Sequence, residues 1–369
     1  MLIVKYHDSV VGRLALTPDN LMAFEYDAGW LENGFSISPF KLPLEKKVFI
    51  ANRNPFDGVF GVFNDCLPDN WGKLMVNREL QRRGIAPNSL SVLDRLAIVG
   101  KNGLGALEFE PAEEMATEYK DSSLDAIAEE INKIIDDNTV VMEESVTEEL
   151  YRIAGSSGGT RPKIFRKFKD GDWIIKFRAA VDPVDIGRRE FEIMELAKKA
   201  GLEVPEHKLF NNKYFGVKRF DRKDNGEKVF MISASGLLDA DHNQPVLDYA
   251  DLLSLTAKLT RNMTDVEKMF RLMVFNVWIN NTDDHAKNFA FLYDGKDWKL
   301  APAFDLTRAV GTWEHATSVN HKGTNITGAD TLAVARQTGI SEKRAGDIML
   351  EVKNAIDQWD EQHGNKTER

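Results

Sequence analysis

The chain has 369 residues and a mass of 41.7 kDa, which is more than one core comfortably serves, so two or three domains or subdomains are expected. Its 43% hydrophobic and 29% charged content excludes a disordered or fibrous chain, and a net charge of −10 makes it a poor nucleic-acid ligand by itself. One cysteine, Cys66, excludes an internal disulfide framework and fits a reducing compartment.

The N-terminus carries Lys5, His7 and Asp8 where a secretory segment would continue apolar, and no apolar run approaches the roughly 20 residues a bilayer requires. A soluble, cytoplasmic protein without membrane contact is expected. Residues 1–110 read as a small α/β module whose short strands (LIVKY, VGRLAL, LMAFEY) are separated by turns such as Thr17-Pro18-Asp19-Asn20. A helix is predicted from Asn70 to Arg83, then helix, glycine-rich turn and strand in RLAIVGKNGLGALEFEP. The turn Gly100 to Gly105 opens a strand and not a helix, so it is not a dinucleotide fingerprint. Residues Ser122 to Asp136 carry a helical pattern (Leu124, Ile127, Ile131, Ile134, Ile135), with Ser123 as the N-cap.

A second strand-rich stretch follows. KIFRKF and DWIIKFR flank Lys169-Asp170-Gly171, a hairpin signal, and a helix from about Gly187 to Ala200 ends at Gly201. YFGVKRF is a further strand. From Asp248 the pattern is helical apart from a loop-and-strand insert between Asn280 and Leu306. The polar run Asp360 to Arg369 is expected to fray.

Several residues along this order carry chemistry. Asp283 and Asn288 stand five positions apart after an apolar helix, the spacing of the base and the metal-binding amide in a kinase catalytic loop. Alone, such a spacing is more often a polar helix end. Asp305 follows a strand and turn, where kinases place a second carboxylate for Mg²⁺; its alternative is a helix cap. Upstream, Gly155-Ser156-Ser157-Gly158-Gly159-Thr160-Arg161-Pro162-Lys163 is a small-residue loop that lets backbone N–H groups approach phosphate oxygens. It lacks the Gly-Lys-Ser/Thr of a Walker loop. Lys176 lies within an apolar strand, and Glu190 or Glu192 in the next helix is its candidate partner. The ordered series of glycine-rich loop, strand lysine, helix glutamate, linking strand, Asp…Asn loop and metal aspartate points to an ATP- and Mg²⁺-dependent kinase.

These residues resemble the HipA family of bacterial serine/threonine kinases, the toxins of HipA–HipB toxin–antitoxin pairs. Thr282 to Phe289 is similar to the family's T-D-G-H-A-K-N-F loop, with Asp284 in place of the glycine. Val217 to Arg222 resembles its V-E-R-F-D-R hinge, and Phe63 to Asn70 its F-x-N-L-L-P-D-S element. The resemblance implies an α+β, two-lobed protein-kinase-like fold: an N-terminal subdomain over 1–110, a nucleotide-binding lobe over 111–245 and a helical lobe over 246–369. It further implies Asp283 as base, Asn288 and Asp305 as Mg²⁺ ligands, and Lys176 on the ATP phosphates. His285 would lie near the nucleotide and the backbone of Lys218 to Phe220 would meet adenine. Ser156 falls at the family's self-phosphorylated position, with Ser157 beside it, although the loop departs from the family's S-V-A-G-A-Q-E-K. The implied partners are a HipB-like helix-turn-helix antitoxin, DNA only through it, and an aminoacyl-tRNA synthetase as protein substrate. The alternatives are a small-molecule phosphotransferase and a kinase-like co-repressor.

Overall fold

A computed structural model describes residues 1–112, 122–136, 161–308 and 314–363. The chain divides into two compact units: 1–188 with 208–231 and 236–239, and 189–207 with 232–235 and 240–369.

The first unit opens with a five-stranded sheet in the order β4-β3-β2-β1-β5. Its strands are β1 (Leu2–Tyr6), β2 (Ser9–Leu16), β3 (Met22–Tyr26), β4 (Val48–Ile50) and β5 (Leu107–Glu110), all paired antiparallel. Alternation sends Val4, Leu14, Met22, Phe24 and Phe109 inward, each fully buried. Gly12 is required by close approach, because a Cβ there would lie 2.3 Å from the Glu25 carbonyl oxygen. Helix Val92–Val99 starts in a capping box, the Ser91 hydroxyl accepting from the Asp94 N–H and the Asp94 carboxylate from the Ser91 N–H.

A four-stranded sheet in the order β6-β7-β9-β8 follows, from β6 (Lys163–Phe168), β7 (Gly171–Lys176), β8 (His207–Phe210) and β9 (Tyr214–Lys218). The Lys169-Asp170 turn joins β6 to β7 as the sequence predicts, with Gly171 at φ +129°. Helix Leu124–Asp136 lays Leu124, Ile127, Ile131 and Ile134 against Ile164, Trp173 and Ile175 of this sheet and Trp71 of helix Asn70–Arg82. Ser123 caps it, its hydroxyl accepting from the Ala126 N–H at 3.2 Å.

The second unit is mainly helical. Helix Met263–Ile279 is buried on most sides, as its apolar run predicts, and packs on helices Tyr249–Thr260 and Glu342–His363. Strands β10 (Phe230–Ser233), β12 (Ala290–Tyr293) and β13 (Trp298–Leu300) form a small sheet, and β11 (Leu247–Asp248) pairs in parallel with β14 (Thr317–Ser318). The expected fraying is corrected by the structure for Asp360 to His363, which continue the last helix, while residues 364–369 lie outside the described residues. The reason is packing that a polar run conceals. Trp359 stacks on His363 at 4.1 Å, the Lys199 ammonium lies 4.6 Å from the Trp359 ring, and Asp360 meets Arg308 at 3.5 Å. Among the described residues no helix is long and apolar enough to cross a membrane.

Candidate active site

Helix Met263–Ile279 ends where Asn280 adopts a left-handed conformation (φ +57°), its N–H bonding back to Asn276 and Val277. The chain leaves the helix there and enters the Asp283–Asn288 loop. Asn288 donates from Nδ2 to the Asp283 carbonyl at 2.8 Å, so the loop closes on itself. That bond fixes the amide end of Asn288 and leaves Oδ1 as its acceptor end, the atom a hard cation requires. The Asp283 side chain is 59% exposed, where an incoming hydroxyl can reach it. His285 Nε2 lies 3.8 Å from Asp283 Oδ1, while its Nδ1 is buried without a hydrogen-bond partner among the described residues.

Asp305 reaches the same end of a hairpin. Strand β12 begins two residues after Asn288 and pairs antiparallel with β13, and the Ala301 N–H donates to the Ala290 carbonyl at 2.9 Å. The returning chain therefore passes beside the loop exit before Asp305 turns in a left-handed conformation, φ +55°. Residues 306–308 are not helical, and residues 309–313, where a helix capped by Asp305 could continue, lie outside the described residues. Asn288 Oδ1 and the Asp305 carboxylate are hard oxygen donors of the kind that Mg²⁺ takes. Among the described residues no group of three or more His, Cys, Asp or Glu is placed to hold a metal ion.

Beneath the loop lies a polar chain that motif spacing did not reveal. Asn281 Nδ2 donates to Asn276 Oδ1 at 3.0 Å, Asn276 Nδ2 to the Tyr249 hydroxyl at 2.9 Å, and Tyr249 to Asp284 at 2.9 Å. Burial and the adjacent Asp284 charge push the Tyr249 phenol well above its ordinary pKa, so it stays a donor.

In the first unit, Lys163 and Lys176 are direct cross-strand partners of β6 and β7 and so share one face. Lys163 is 9% exposed, and the Lys176 ammonium lies 5.6 Å from the Phe215 ring. Glu190 is buried, in the part of helix Ile186–Lys199 that belongs to the second unit. Ser156, Ser157, Gly158 and Gly159 lie outside the described residues.

The hinge candidate is held from below by residues that motif reading left without a role. Asp221, almost fully buried, accepts from Arg219 at 2.9 and 2.7 Å, from Arg222 at 3.0 Å and from the Gly105 N–H at 2.8 Å. Burial pushes the Asp221 carboxyl upward, but the two guanidinium charges outweigh it and hold the group below the usual carboxylate range. Both arginines also donate to the Gly103 carbonyl at 3.1 Å, and Arg222 to Gly105 O at 2.8 Å. The Gly100 to Gly105 turn thus serves as a socket for the hinge; Gly105, at φ +69°, packs on the Met231 backbone. Lys218 faces Trp173 across the ladder and its ammonium meets Asp224 at 3.0 Å, while the Arg219 N–H donates to Asp172 O at 2.8 Å. Phe220, which follows Arg219, is half-buried.

Comparison with known proteins agrees with this architecture. Residues 2–110 match the HipA N-terminal domain and residues 155–359 the HipA-like C-terminal domain. Y4mE of Sinorhizobium fredii, which carries a provisional kinase name, is 26% identical over 341 residues, covering 84% of this chain and 77% of its own. The serine/threonine-protein kinase toxin HipA of Shewanella oneidensis is 24% identical over 334 residues, covering 81% of this chain and 73% of its own. A solved structure of the Shewanella oneidensis HipA, HipB and operator DNA complex superposes with a TM-score of 0.73 at 19% identity, over 97% of this chain and 89% of that one. The fold is thus the α+β, two-lobed protein-kinase-like fold expected from the sequence, and the chain belongs to the HipA family.

Proposed function

We propose that the chain is an ATP-dependent serine/threonine protein kinase acting as a HipA-type toxin in the cytoplasm. The observation that carries the reading is the closed Asp283–Asn288 loop, in which the Asn288 amide is pinned to the Asp283 carbonyl while the Asp283 carboxylate stays exposed. A polar helix end has no need of that division. In the reaction, a serine Oγ of the protein substrate attacks the γ-phosphorus, its proton passes to Asp283, the bond from γ-phosphorus to the bridging oxygen breaks, and ADP leaves. Asn288 and Asp305 would hold Mg²⁺, which would supply charge neutralisation when bound. Lys163 and Lys176 hold the phosphates, the backbone of Lys218 to Phe220 receives adenine, and His285 and Glu190 complete the nucleotide-binding set.

Residues 1–110 act as the N-terminal subdomain, 111–245 as the nucleotide-binding lobe and 246–369 as the helical lobe. Ser156 or Ser157 is the self-phosphorylation site. A HipB-like helix-turn-helix antitoxin is the partner, a reading supported by the HipA–HipB–operator complex of the structural neighbour. DNA is reached through it, in keeping with the net charge of −10. The protein substrate, by family analogy, is an aminoacyl-tRNA synthetase, and its modification slows translation and growth.

The test is incubation of the purified chain with γ-labelled ATP and Mg²⁺, followed by peptide mapping. Label on the peptide holding Ser156 and Ser157, lost in Asp283→Asn, is expected. Transfer to small molecules alone, or label unaffected by Asp283→Asn, would sink the reading.

A further inference from the structure

The carboxylate beside the candidate base is built into the fold. The Asp284 side chain has no solvent exposure, and a carboxylate so placed needs several donors. It has three, from segments far apart in sequence: the Tyr249 hydroxyl at 2.9 Å, His315 Nδ1 at 2.8 Å and the Thr317 N–H at 3.2 Å. The Asp284 carbonyl also accepts from Thr317 Oγ1 at 2.5 Å, and the Thr282 carbonyl from the Ala316 N–H at 3.3 Å. His315 is itself buried, and its backbone N–H donates to the Gly323 carbonyl at 2.9 Å. A carboxylate oxygen accepts, so the contact at His315 Nδ1 is served by the tautomer that carries an N–H there.

We infer that Asp284 is a positioning residue that sets the direction of Asp283, by clamping the loop to the start of helix Tyr249–Thr260 and to the His315–Thr317 segment downstream of Asp305. Two adjacent aspartates divide the work: one faces solvent at 59% side-chain exposure, the other is sealed at 0% and cannot turn without breaking three bonds. The consequence for turnover rests on the kinase reading above, whereas the clamp itself does not.

The experiment uses the full chain with Asp284→Asn, His315→Ala and His315→Asn, the last retaining an N–H donor near the Nδ1 position. Amide hydrogen exchange is read on peptides covering 281–289. Asp284→Asn and His315→Ala are expected to exchange there about ten-fold faster, with helix Met263–Ile279 unchanged, and His315→Asn to resemble the parent. In labelled-ATP assays the first two are expected to lose about ten- to one-hundred-fold in kcat, with the ATP KM within about two-fold.

Unchanged loop exchange overturns the clamp, and so does a loss of protection shared equally by the helix. Faster loop exchange with an undiminished kcat overturns the positioning role. A parent protein that transfers no phosphate refutes the kinase reading instead, and the exchange data then decide the clamp alone.

Discussion

Replacing Asp221 by Asn leaves the shape of the hinge socket nearly intact while removing its negative charge. Arg219, Asp221 and Arg222 have side chains only 6%, 4% and 9% exposed, so water cannot neutralise what is left. The amide offers one acceptor oxygen where the carboxylate takes two bonds from Arg219, one from Arg222 and one from the Gly105 N–H. Breaking a buried pair by removing one partner costs about 3–5 kcal/mol, because a desolvated charge remains. For a folded unit of this size each kcal/mol moves the melting temperature by about 2–4 °C, so a drop of roughly 6–20 °C is expected by calorimetry at neutral pH. The pH dependence has a definite sign. The folded carboxyl lies below its unfolded value of about 3.9, so its stabilisation is present above about pH 4 and fades as pH falls through the folded value. The gap between parent and variant therefore narrows in acid. Adding Arg219→Met to Asp221→Asn should restore part of the loss. A shift below about 2 °C, or a double variant no better than the single, would refute the reasoning.

Three further outcomes follow from the same geometry. Asp283→Asn is expected to lower phosphoryl transfer by about 10²–10⁴-fold with an unchanged melting temperature, because the side chain is 59% exposed; a comparable loss of stability would contradict this. Lys176→Met is expected to raise the ATP KM more than it lowers kcat, as measured by steady-state kinetics, since its cross-strand neighbour Lys163 remains to hold phosphate. Gly105→Ala is expected to destabilise by about 1–2 kcal/mol in denaturant titration, because φ is +69° and the new Cβ would meet the Met231 backbone at 3.2 Å.

Local patterns were legible in the sequence, and long-range ones were not. The hairpin at Lys169-Asp170, the Ser123 cap and the apolar helix before Asn280 each depend on residues within one or two turns of each other. The five-residue spacing of Asp283 and Asn288 belongs to the same class, since the bond joining them spans only that loop. The hinge socket was hidden because Asp221 meets Gly105 across 116 residues, and no spacing rule reaches so far. Asp284 reads in the sequence as a departure from a motif glycine; its partners Tyr249 and His315 stand 35 and 31 residues away, beyond any spacing rule. The reading of Asp360 as a frayed end failed for a related reason. Composition registers polar side chains, but not the aromatic stacking and ion pair that hold them.

The socket at Gly103 and Gly105 also bears on how the polypeptide can be divided. The stretches that match the N-terminal and C-terminal family domains are separated in sequence, 2–110 and 155–359, and invite a cut between them. Yet one compact unit contains both the glycine turn and the Arg219–Asp221–Arg222 cluster. A fragment starting after residue 112 would expose a salt-bridged cluster evolved to be dry, and a fragment ending there would lose the side chains that shape its last turn. Cleaved between them, the two pieces should behave as complementing halves that gain order together when mixed, not as interchangeable modules.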